Sequence, residues 1–149
     1  MWSRRGSIRA HRSSLENGEA DQSFADALGI AVGDPVLHVR RLRFPEDVPI
    51  AVLDDVLPPQ FTDVTPQELE SRGLYQLLRA REVAMRVAKQ RIGARAATAA
   101  EPESLGIRRG GAVQTMERTA FDASGNAVEF GQHCYRPDLY SFELTLVDR

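Results

Sequence analysis

The sequence predicts an α+β domain with a mainly antiparallel sheet and short helices. Three observations carry that expectation. Long strand-like stretches are joined by hairpin-like turns. The helical signals between them are short and capped. No β-α-β alternation and no glycine-rich phosphate loop is present, which argues against a doubly wound nucleotide-binding fold. The chain has 149 residues. That is one domain by size, and folding should remove roughly two-thirds of the unfolded surface from water.

The first twenty residues are polar and charged, with Gly6 and Asn17-Gly18, and read as a lead-in with one short strand around Ile8. Asp21 then suits the N-cap of a short helix in DQSFADALGI, and Gly29 its C-terminal end. Pro35 to Phe44, PVLHVRRLRF, reads as a strand, and IAVLDDVL as a second one stopped by Pro58-Pro59. TPQELESRG is a helix signal. Thr65 is its N-cap, Pro66 its first residue, and Glu68 completes a capping box. Gly73 ends or kinks that helix, and LYQLLRARE resumes helical spacing with Leu74, Leu77 and Leu78 on one stripe.

Glu82 to Ala99 alternates Val83, Met85 and Val87 with polar or small residues, which predicts a strand bending near Gly93. EPESLG follows as a short helix closed by Gly106. Two strands around the turn at Ala123 to Asn126 come next. YSFELTLV closes the chain as a last strand, with Tyr140, Phe142, Leu144 and Leu146 on one face.

Composition narrows the function classes. The formal net charge is −2, which argues against a whole-surface nucleic-acid binder. The single cysteine, Cys134, forms no internal disulfide and makes no zinc site of the usual kind, so no metal and no cofactor is expected. No apolar run approaches the length of a membrane-spanning helix. MWSRRGSIRAHR lacks the apolar core of a signal peptide. A reducing cytoplasm is the expected location.

The second strand of the late hairpin poses the functional question. Val128, Phe130, Gln132 and Cys134 share one face and resemble core, whereas Glu129, Gly131, His133 and Tyr135 share the other. A glycine inside a strand often marks close approach of a ligand or another backbone. With a four-residue turn, Arg118 lies opposite Gly131 on the Glu129 face. A five-residue turn sends it to the other face, and the sequence leaves both registers open. The simpler reading of this pattern is a solvated sheet face with an ordinary cross-strand pair.

Arg41 and Arg43 in VRRLRF add a second feature. Two apart in a strand, both guanidiniums leave one face roughly 7 Å apart. They repel each other unless an anion lies between them, and a carboxylate or phosphate matches the guanidinium fork. The alternative is that each pairs with an acid of the neighbouring strand, Asp54 or Asp55.

These stretches carry a family resemblance. ADALGIAVGDPVLHVRRLRF, VPIAVLDDVLPPQF, LESRGLYQLLR and RTAFDASGNAVEFGQHCYRPDLYSFELTL resemble, in order, the motifs of the effector-sensing UTRA domain of GntR-type transcription regulators of the HutC subgroup. The resemblance covers the chain from about Ile8 to its end. It implies a twisted antiparallel sheet flanked by helices, chorismate-lyase-like, with an effector cleft. It also implies dimerisation and an N-terminal winged helix-turn-helix that binds operator DNA. That module is absent here, so residues 1–7 are expected to be a linker remnant and 8–149 the effector domain.

In sugar-phosphate-sensing relatives the anion is held by arginines that fall on Arg41 and Arg43. A serine and a tyrosine assist and fall on Gly73 and Tyr75. Two acids and a tyrosine holding the remainder fall on Leu53, Glu129 and Tyr135. Gly73 and Leu53 depart from the pattern, so an amino-sugar phosphate is disfavoured and another small anion expected. Arg118 resembles the family's strand arginine and is expected to position Glu129. His133 is a local addition, and such a histidine on a strand face is more often structural than a ligand.

The leading expectation is therefore a ligand-sensing, homodimeric domain of a bacterial repressor-type regulator. It binds a small anionic metabolite through Arg41, Arg43, Tyr75, Glu129, Tyr135, Arg118 and His133. An enzyme of the related lyase-like fold acting on a small carboxylated substrate is the alternative, with Glu129 as acid or base. Direct nucleic-acid binding through Arg4, Arg5, Arg9, His11 and Arg12 is the third. A solvated linker accounts more simply for those charges, because no aromatic or groove-entering helix accompanies them.

Overall fold

A computed structural model describes residues 3–4, 9–45, 48–98 and 105–148. Its strands are β1 (Ser3–Arg4), β2 (Arg9–Glu19), β3 (Pro35–Pro45), β4 (Ala51–Leu57), β5 (Met85–Ala96), β6 (Ala112–Asp122) and β7 (Ala127–Tyr135). They form one sheet in the order β1-β2-β3-β4-β7-β6-β5, and every neighbouring pair is antiparallel. Among the described residues three α-helices accompany it: α1 (Gln22–Leu28), α2 (Pro66–Ser71) and α3 (Leu74–Ala80).

The helix ends follow their cap residues. Asp21 accepts from Phe24 N–H at 2.8 Å, and Gly29 closes α1 at φ 66, a left-handed conformation that glycine adopts without a Cβ clash. Thr65 caps α2 by accepting from Glu68 N–H, with Pro66 in the first turn. Gly73 does not kink one helix. It is the extended N-cap of a separate one, α3.

Each face of the sheet carries its own core. On the first face Leu37, Val39 and Leu57 pack with Phe61, Leu69, Leu74, Leu77 and Leu78, so the leucine stripe of α3 is its buried side. On the second face α1 lays Ala25 and Leu28 against Val36, Val56 and Phe130. Leu105 meets Leu42, Val52 and Val113 further along.

Several sequence expectations need correction. The polar lead-in is a sheet strand: β2 runs Arg9–Glu19 and pairs along all of β3. Asn17-Gly18 resembles a turn, yet Gly18 continues the strand, and a Cβ there would come within 3.2 Å of the His38 ring. Ile8 and Arg5 lie outside the described residues, as does most of the EPESLG helix. Gly106 has the positive φ of 67 expected of a helix-closing glycine. The irregularity in β5 falls between Met85 and Val87, while Gly93 keeps its place opposite Thr115.

The predicted last strand does not form. Residues 140–148 carry no regular structure, and Leu144, Leu146 and Val147 are 65%, 82% and 78% exposed. Strand-like alternation there meets no neighbouring strand among the described residues. Among those residues, no helix is long and apolar enough to cross a membrane.

Candidate functional site

The registers of four strands place the candidate residues on a grid. Arg118 lies opposite Gly131, and Gly131 opposite Asp55. One step along, Arg41, Leu53, His133 and Met116 form a row. One further step, Arg43, Ala51, Tyr135 and Gln114 form the next. Alternation sends all of these side chains to the face covered by α3. The hairpin takes the four-residue register: Asp122 Oδ1 accepts from Ser124 N–H and Asn126 N–H, both at 2.9 Å, and Gly125 turns the chain at φ 82.

Asp55 is the hub of this face and is 1% exposed. Its Oδ2 accepts from Arg41 Nη2 at 2.9 Å, and its Oδ1 lies 3.0 Å from His133 Nε2. The other ring nitrogen, Nδ1, is 3.4 Å from the Tyr135 hydroxyl, and the Tyr135 ring stacks on Tyr140 at 4.2 Å. Burial by itself raises the Asp55 pKa, but the His133 hydrogen bond and the Arg41 charge outweigh it and leave the carboxyl below its ordinary range. Burial, with Tyr140 adding to it, pushes the Tyr135 phenol up to about 12.

Glu129 belongs to a second group across Gly131. It is fully buried. Tyr75 donates to its Oε1 at 3.5 Å, and Arg118 Nε approaches the same oxygen at 3.6 Å. The Arg118 guanidinium also lies over the Tyr75 ring, 4.9 Å from its centroid. Burial pushes Glu129 up to about 7, and the nearby Asp55 charge adds to this against the pull of Arg118. Burial likewise raises the Tyr75 phenol, followed by the Glu129 charge. Arg41 Nε, Arg118 Nε and Glu129 Oε2 are buried without a hydrogen-bond partner among the described residues.

Gly131 does not hold open a gap for a ligand, as its position in the strand suggests. A Cβ there would stand 2.6 Å from Asp55 Oδ1 and 2.7 Å from His133 Nε2. The absent side chain makes room for the Asp55–His133 contact itself. Gly131→Ala is therefore expected to push that pair apart and cost about 1–3 kcal/mol, the range for leaving buried polar groups unsatisfied. Urea unfolding of the variant measures it, and an unchanged midpoint would show that the pair has room to shift.

Six of the seven candidate residues fall into these two groups, and Arg43 stands apart. Arg41 takes the neutralised alternative through Asp55. Arg43 makes no ion pair with a carboxylate of the described residues, and its charge acts on the Tyr135 phenol. Asp54 serves Arg40 on the opposite face, at 2.7 and 3.1 Å. Leu53 is buried beside Met116 and Tyr135, and Gly73 is exposed at the start of α3. The sequence reading names Asp55 only as one of two acids that could neutralise an arginine, and misses its second contact, with His133. The available signal is an acid two residues from Leu53 in an otherwise apolar period, but only the β3–β4 register brings it to Arg41.

The antiparallel sheet with its short helices is a fold shared with solved structures of transcription regulators. The ligand-binding domain of a GntR-family regulator from Bordetella bronchiseptica has this fold, with TM-score 0.85 and 24% identity over 92% of each chain. A transcriptional regulator from Streptomyces coelicolor is 43% identical with TM-score 0.89, covering 100% of this chain and 98% of its own. HTH-type transcriptional repressor NagR of Bacillus subtilis is 26% identical over 83% of this chain and 51% of its own length. Probable transcriptional regulator PhnF of Escherichia coli is 31% identical over 80% and 51%. The chain thus spans about half the length of the curated relatives it matches. The family model of the UTRA domain matches residues 4–141. The chain belongs to the UTRA domain family.

Proposed function

We propose that this domain senses a small anionic metabolite and passes its presence to a winged helix-turn-helix preceding it in the full regulator. The sensing unit in this reading includes Ser3–Arg4, which pair with β2 at the sheet edge. The regulator is a cytoplasmic homodimer on operator DNA, and the effector shifts the population of dimer geometries. The observation that carries the proposal is Arg43. It is a half-buried cation on the cluster's face, beside Tyr135, without a carboxylate partner among the described residues.

Arg41 keeps its contact with Asp55 and offers its remaining donors to the same anion. Glu129 Oε2 takes a donor from the effector body, while Arg118 and Tyr75 hold the carboxyl in place. Leu53 and Gly73 supply neither acceptor nor hydroxyl, which suits a body with few hydroxyl groups. Relatives named as transcriptional regulators support a regulatory rather than catalytic role.

The test is a thermal-shift screen of the chain against small carboxylates and phosphate monoesters, with inorganic phosphate as reference. A true effector at a hundredfold excess over its Kd stabilises by about 2.7 kcal/mol. Arg43→Ala is expected to abolish that stabilisation while changing basal stability by no more than about 0.5 kcal/mol, as for a surface substitution. Full retention of the shift in the variant would refute the anion site.

One observation favours an enzyme as second reading. Glu129, held at about 7 by burial, has the pKa of a general acid or base near neutrality. Turnover of a small carboxylated substrate by the isolated chain, lost in Glu129→Gln, would put this reading first.

A further inference from the structure

Two acids share the sensing face, and their surroundings differ. Asp55 accepts from Arg41 at 2.9 Å and lies 3.0 Å from His133. Glu129 is fully buried, yet its contacts are long, with the Tyr75 hydroxyl at 3.5 Å and Arg118 Nε at 3.6 Å. Both of these address Oε1, and Oε2 is buried with no partner among the described residues. An ionised carboxylate is costly in such a place, because burial without full hydrogen bonding disfavours charge. The neutral acid costs less. Its proton belongs on Oε2, where the hydroxyl can donate to a bound molecule and still accept from one.

The groups around Glu129 set how an anion acts on it. His133 comes from β7 itself, Arg118 from β6, Asp55 from β4, Arg41 from β3 and the Tyr75 phenol from α3. β5 turns Ala88 and Gln90 to this face, opposite Ala120 and Arg118, and neither titrates. With Glu129 neutral, the cations Arg41, Arg43 and Arg118 stand against the charge of Asp55. Ionising Glu129 cancels a further cation, so its charge and an incoming anion compete for the same positive field. Arg41 reaches toward Glu129 as far as Asp55, which lies opposite Gly131. Strand spacing puts an anion on Arg41 roughly 10 Å from the Glu129 carboxyl. Unit charges at that separation, with an effective dielectric of about 20, change an equilibrium constant by about tenfold or more.

We infer that effector binding is coupled to protonation of Glu129: the anion enters together with a proton from solvent, which settles on Oε2. Acid then tightens the complex and alkali loosens it, so one effector concentration fills the domain to different extents at different pH. This coupling rests on the anion-sensing reading and adds its regulation. Linkage gives the sign. Burial raises the carboxyl of the free domain to about 7, and a neighbouring anion raises it further. Below both values free and bound domain are protonated alike, and affinity is constant. Between them the complex keeps a proton that the free domain has lost, and Kd rises by up to about tenfold per pH unit. Above both, affinity levels off at its weaker value.

Sulfate serves as probe, because it keeps one charge state across the neutral range. Calorimetric titration of the chain with sulfate at pH 6 and pH 8 tests the coupling, in two buffers of different ionisation enthalpy so that proton uptake is read directly. The wild-type Kd is expected to rise on the order of tenfold from pH 6 to pH 8, with net proton uptake at pH 8. In Glu129→Gln, which cannot ionise, Kd should be the same at both pH values and no proton should be taken up. Infrared difference spectra on sulfate addition at pH 8 give a second readout: a protonated-carboxyl band should grow in the wild type and be missing from the variant.

A pH trend that persists in Glu129→Gln would place the titrating group elsewhere and overturn the coupling. Sulfate that binds the wild type equally at both pH values would also overturn it and leave the anion site standing. No sulfate binding at pH 6, or binding that Arg43→Ala leaves unchanged, would overturn the anion site and the coupling with it. If Glu129→Gln does not fold, the infrared band and the proton uptake of the wild type decide, and absence of both overturns the coupling.

Discussion

Asp55→Ala is expected to remove about 3–5 kcal/mol of stability, the cost of breaking a buried ion pair by deleting one partner. Two groups lose their acceptor at once. The Arg41 side chain is 13% exposed and that of His133 6%, so water compensates neither fully. Asp54→Ala is the internal control. Its partner Arg40 and the acid itself are 50% and 42% exposed, and an exposed pair contributes about 0.2–1 kcal/mol. Urea unfolding of both variants measures the contrast. Equal losses would mean that the buried triad contributes no more than a surface contact.

The pH dependence of Asp55 has a definite sign. Its folded pKa lies below the ordinary 3.8. The stabilisation it brings is present above the unfolded pKa and is lost as pH falls through the lower folded value. Acidification below about pH 4 should therefore narrow the gap between wild type and Asp55→Ala.

Glu129→Gln is expected to act in the opposite sense and to stabilise the protein above neutrality. The folded pKa of Glu129 is raised from 4.5 to about 7. Between those values the native state holds a proton that the unfolded state releases, so wild-type stability falls as pH rises through the interval and levels off above it. The gain in the glutamine variant should be near zero at pH 4.5. It should reach the order of 3 kcal/mol at pH 8, since each pH unit between the unfolded and folded values contributes about 1.4 kcal/mol. Thermal unfolding from pH 4 to 9 measures it. A difference that stays flat across the interval would show that the carboxyl ionises as freely as in the unfolded chain.

Local chemistry was legible in the sequence wherever one residue decides the backbone. Asp21, Gly29, Thr65 and Pro66 mark helix ends through hydrogen bonds and φ preferences that act within a few residues. The β3, β4, β6 and β7 strands show in their apolar periods. The ordered motifs carry the family because four weak signals in one order are specific. By contrast, β2 was obscured by its polar outward side chains. Only Leu15 packs against the core among its described side chains, and the pairing with β3 supplies the rest of its stability.

For the site, the sequence by itself determined which side chains share a face. Alternation alone puts Arg41 with Arg43, and Glu129 with His133 and Tyr135. What only the tertiary structure decided is the partner of each. Strand register sets Asp55 diagonal to Arg41 and beside His133, and α3 delivers Tyr75 to Glu129. Alternation is a property of one strand's covalent geometry. Register and helix docking follow from burying whole faces together, which settles long-range pairings that no single segment encodes.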